Sequence, residues 1–178
     1  MRNLLAVVCA LAALVVTSSF AGAAEPAVGT LSVEHGKGVI VVDIRGSLLG
    51  RLGAGSLRVT DQTPNDRYGA TVVGRKLTSE RVGPRTVLYK GYGLRFRMLG
   101  GGYRVVARGS GISLSAVGRG TVTLDGDPRE VGDDVGVYSL DGVDCGLEPV
   151  LCTPLPILPE RFVLAAPEPE TPQTKGSQ

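Results

Sequence analysis

From Arg85 the chain reads in blocks of nine: RTVLYKGYG, LRFRMLGGG, YRVVARGSG, ISLSAVGRG and TVTLDGDPR. Glycine recurs at Gly91, Gly100, Gly109 and Gly118, and again two places on, at Gly93, Gly102, Gly111 and Gly120. The runs between are rich in Val, Leu, Ile, Thr and aromatics, which suit strands, while the glycines suit turns. The pattern predicts a five-stranded antiparallel meander with a nine-residue period over about 85–125.

Two-residue loops with Gly first fit at Gly91-Tyr92, Gly100-Gly101 and Gly109-Ser110, because that position needs a positive φ. In that register Val87, Tyr89, Leu94, Phe96, Met98, Tyr103, Val105, Ala107, Ile112, Leu114 and Ala116 share one sheet face. The next turn breaks the pattern. A three-residue loop at 118–120 with a bulge is needed to bring Val122 and Leu124 onto the same face. Nine-residue glycine repeats also build calcium β-rolls, but those hold each ion with an Asp, and the four glycine pairs bring none.

Further strands are expected at Thr30 to His35 and Gly38 to Ile44, joined by a hairpin at Gly36-Lys37. Ser56 to Thr60, Ala70 to Val73 and Val135 to Leu140 read the same way. Nothing after residue 25 keeps a helical period over ten residues. The expected fold is all-β, an antiparallel sandwich or small barrel of about 8 to 10 strands.

The first residues read as an export signal. Arg2 precedes an apolar run from Leu4 to Val16, and Ala21-Gly22-Ala23 fits the small-residue cleavage rule. The expected organisation is a cleaved signal peptide at 1–23, one β domain at 24–165 and a disordered, proline-rich tail at 166–178. Cutting before Glu25 is the alternative. Cys9 lies within the apolar run, not at the cut, which argues against a lipid anchor. No transmembrane segment is expected after signal removal, so the location should be secreted or extracytoplasmic. Cys145 and Cys152 remain, and two lone cysteines in an oxidising compartment are expected to form a disulfide.

Charge divides along the chain. Residues 45–119 carry fourteen Lys/Arg and three Asp/Glu, whereas 120–178 carry three and eleven. The meander places Arg95, Arg97, Arg104 and Arg108 on the face opposite the apolar one, with Arg97 across from Arg104. Like charges paired across strands destabilise a sheet. Three readings stay open. The arginines meet an external anion such as a cell-wall polymer, a lipid head group or an acidic protein. Alternatively Asp125, Asp127, Glu130, Asp133, Asp134, Asp141 and Asp144 fold back over them, or they splay into water. Nucleic acid fits poorly, since export is expected and the face lacks stacking aromatics.

Catalytic chemistry has little to draw on. His35 is the single histidine and sits beside Gly36-Lys37-Gly38, which reads as a turn. No nucleophile elbow accompanies it. Asp125-Gly126-Asp127 and Asp133-Asp134 depart from the calcium-loop spacing and read as acidic turns. Scattered carboxylates do not define a glycosidase pair. The expectation is no catalytic residue, no metal and no cofactor.

Leu94-Arg95-Phe96-Arg97, Tyr103-Arg104-Val105-Val106 and Ile112 to Gly120, within Leu94 to Gly126, resemble small secreted proteins of unknown function from high-GC Gram-positive bacteria. Arg outnumbers Lys fifteen to four, in keeping with such genomes. The resemblance implies a secreted β protein and brings no activity, cofactor or catalytic residue. The functional expectation is a non-enzymatic envelope component, structural or binding, with binding of an anionic envelope polymer or acidic partner through the arginine face as one alternative and a hydrolase using carboxylates as the other.

Overall fold

The computed structural model describes residues 29–64, 69–130 and 132–165. These form one antiparallel sheet of seven strands that does not close into a barrel, and no α-helix occurs among them. The strands are β1 (Thr30–Asp61), β2 (Thr71–Gly83), β3 (Thr86–Met98), β4 (Gly102–Gly126), β5 (Val137–Ser139), β6 (Thr153–Pro154) and β7 (Glu160–Leu164). The order is β2-β3-β1-β4-β7, with β5 beside β1 and β6 beside β5. The proposed signal and tail lie outside the described residues.

The all-β, antiparallel expectation holds. The meander does not, and the reason is the double pairing of β1 and β4. Residues 30–45 pair with 117–102, and residues 38–61 pair with 126–103. Residues 38–45 therefore have β4 along both edges. Beyond them β3 takes over one edge, from Leu48 opposite Met98 to Thr60 opposite Thr86. Residues 86–117 thus run as a nearly unbroken partner along one side of β1. Two strands can pair with each other on both edges only if the sheet coils, and the coil closes its inner face around one apolar cluster. Leu31, Val42, Leu48, Leu57, Leu94, Tyr103, Ile112 and Leu124 lie there, fully buried.

No reversal occurs at Gly91-Tyr92 or Gly109-Ser110. Both lie inside long strands, flanking Ala54-Gly55 of β1 from either side. At Gly100-Gly101, with φ of 69° and 78°, the chain kinks from β3 into β4 without turning back. Gly46 N donates to Gly101 O there at 3.0 Å. The Gly36-Lys37 hairpin is likewise absent: both residues lie within β1, just past His35 at φ 56°.

The nine-residue period has a different cause. A tight hairpin and a bulge both shift the inward alternation by one residue, so both put Ala107 and Ile112 on the same face. All the residues assigned to the apolar face from Leu94 to Ala116 are buried, as are Val122 and Leu124. The shift occurs at one level on neighbouring strands, where Gly91, Gly55 and Gly109 stand in register. A methyl at Gly109 would run into the Ala54 carbonyl, so the strands approach too closely there for any other residue. Stacked bends, not turns, space the glycines. β7 went unread because Pro154, Pro156 and Pro159 crowd its approach.

Candidate anion-binding face

Outward-facing positions alternate with the buried ones, so the sheet's outer surface is set by the same period. Arg95, Arg97, Arg104 and Arg108 are all exposed on it, as the alternation requires. They do not form one row. Arg97 stands beside Leu49 of β1 and Thr71 of β2, while Arg104 stands beside Thr60 and Asp43 on the two passes of β1. The expected Arg97–Arg104 opposition is therefore absent, because β1 runs between β3 and β4.

Arg104 is neutralised. Its Nη1 lies 3.2 Å from Asp43 Oδ2, and Gln62 Nε2 donates to the other Asp43 oxygen at 3.1 Å. Arg108 and Asp125 flank Val39 from opposite sides, above a groove of about 550 Å³. That groove is internally balanced: Lys37 pairs with Glu130 at 3.1 Å, and Arg129 with Asp127 at 2.6 Å. The Arg129 guanidinium holds the Asp127 carboxyl down at about 2. The Ser139 hydroxyl lowers Asp141 in the same way.

Among the described residues no ion pair joins the acidic segment 125–148 to Arg95, Arg97, Arg104 or Arg108. Part of that segment is anchored elsewhere: Cys145 N donates to Ser32 Oγ at 3.0 Å, beside Glu34. Cys145 and Cys152 form the expected disulfide, with an S–S distance of 2.04 Å. No group of three or more His, Cys, Asp and Glu is placed to hold a metal ion among the described residues. No helix there is long and apolar enough to cross a membrane.

A second cluster was not read from the sequence. Arg51 stands directly opposite Arg95, and Val73 flanks Arg95 on the other side. With Arg75 and His35 these residues wall a groove of about 710 Å³. Glu34, largely covered, holds Arg51 and lies 3.4 Å from His35 Nε2. His35 N donates to Ser113 Oγ at 3.4 Å, on the same groove. Arg51 and Arg75 are far from Arg95 in sequence, and only the long-range strand order brings them together. The available signal was glycine at 53, 74, 93 and 111, beside each of these side chains.

No protein-family model, curated protein or solved structure matches the chain.

Proposed function

We propose that the protein is an exported, non-enzymatic component of the cell envelope that binds an anionic polymer through the outer face of its sheet. The observation that carries this reading is the unmatched charge. Arg58, Lys90, Arg95, Arg97 and Arg108 are exposed or partly exposed and enter no ion pair among the described residues. Within the acidic segment, Glu130 is engaged with Lys37 of β1, Asp127 with Arg129 and Asp141 with Ser139. A sheet face holding unpaired cations in adjacent strands is under mutual repulsion that an external polyanion relieves.

Retention on an anionic resin tests it. Wild-type protein should elute at a salt concentration that falls when Arg95→Ser and Arg97→Ser are combined. Arg104→Ser combined with Asp43→Ser should elute close to wild type, because the pair removed carries no net charge. Elution of the double variant with wild type overturns the reading.

A further inference from the structure

The groove walled by Arg51, Arg75 and Arg95 is a trough that runs across the strands. Its floor takes one glycine from each of four neighbouring strands: Gly74 of β2, Gly93 of β3, Gly53 of β1 and Gly111 of β4. It ends at His35, on the N-terminal pass of β1. At 4.7–4.9 Å per strand, crossing these five strand positions takes about 19 Å.

Bare backbone makes the trough. A methyl on Gly111 would stand 3.3 Å from the Gly53 backbone, so the two glycines meet with no side chain between them. Gly93, at φ 56°, leaves its outer side open, and Arg75 Nε lies 3.8 Å from where a methyl would project. The Arg75 guanidinium thus reaches from the edge strand over β3, towards Arg95 two residues along. Arg51 is held by Glu34 and keeps further N–H donors free, since a guanidinium has five. Arg75 and Arg95 enter no ion pair among the described residues.

We infer that this trough binds an extended phosphodiester chain lying perpendicular to the strands. The inference rests on the anion-binding reading above and assigns it a site and a ligand chemistry. The shape asks for a narrow chain, because the trough is long, open and transverse. The donors ask for phosphate. Guanidiniums on adjacent strands approach one group from different directions. The tetrahedral oxygens of a phosphate meet donors from both, whereas a planar carboxylate is gripped best by one fork. Among the described residues no Phe, Tyr or Trp lines the trough and its one ring, His35, stands at the end, so no row of rings stacks on successive bases, and the chain it fits carries none.

Equilibrium titration with three probes tests the assignment: poly(glycerol phosphate), glycerol phosphate as the monomer, and poly-glutamate. Wild-type protein should bind the phosphodiester polymer at least tenfold more tightly than either alternative. Arg75→Ser should weaken the polymer at least fivefold, with Arg75→Lys recovering part of the loss. Arg161→Ser, on β7 and outside the trough, should bind as wild type. Arg75 points outward from an edge strand, so unchanged circular dichroism is expected and guards against misfolding. Equal binding of poly-glutamate overturns the phosphate assignment, and equal binding of the monomer overturns the extended chain. If Arg75→Ser binds like wild type while the resin still retains the protein, the trough is wrong and the face reading stands. If wild type binds the polymer in titration yet is not retained by the resin, the face reading falls and the trough stands.

Discussion

Asp127 shows how a neighbour two residues away fixes a side chain's chemistry. Arg129, two residues on, donates to it from its backbone N and from two guanidinium nitrogens. Its carboxyl is consequently held at about 2, below the ordinary 3.8. A depressed acid contributes stability that is whole above pH 3.8 and is lost as pH falls towards 2. Chemical shifts followed through an acid titration should place Asp127 near 2, and Arg129→Ala should return it towards 3.8. Asp127-Pro128-Arg129 places that pair within local reach, although 125–127 read in sequence as an acidic turn alone. The pairing of Arg104 with Asp43 had no local signal, since 61 residues separate them.

At the scale of elements, burial was legible and connectivity was not. Alternation with one-residue shifts names the inward side chains of β3 and β4 whichever way the chain turns. It does not say whether each shift is a reversal or a bulge. One clue pointed the right way. The even step from Ala116 to Val122, which a meander accommodates only with an added bulge, is the plain alternation of a continuous strand through Gly118 and Gly120. The trough was illegible for the same reason, because its walls come from strands whose order the sequence does not reveal. The loop at 145–152 is a simpler element. It carries exposed Leu147, Val150 and Leu151, and its 3₁₀ turn at Pro149–Leu151 buries nothing. Its own turn hydrogen bonds, the Cys145–Cys152 bond and the Ser32 contact hold it. Cys145→Ser with Cys152→Ser should lower stability by about 2.5 kcal/mol, the loop-closure contribution for so short a ring. A denaturant midpoint compared with wild type measures it. A loss confined to local amide exchange would place the bond's effect in the loop alone.

For the whole molecule, almost all pairing is between residues far apart in sequence: Thr30 meets Val117, Asp61 meets Tyr103, and Gly120 meets Leu164. Such topologies close long loops before any ladder is rewarded, so they fold slowly. Refolding from denaturant should take milliseconds to seconds, and strand signal and tyrosine fluorescence should be lost in one transition. Two separated transitions would show that the sheet has independent halves. The free margins of the sheet carry Arg75, Lys76, Glu80 and Arg81 on β2, charges that discourage a neighbouring chain from adding there. The clasp of β1 and β4 has a related effect at the centre. Neither strand can be withdrawn from the other until hydrogen bonds on its left and right part in the same event. A trade of either strand between two copies, the commonest route by which β proteins entangle, would require each copy to come wholly apart first.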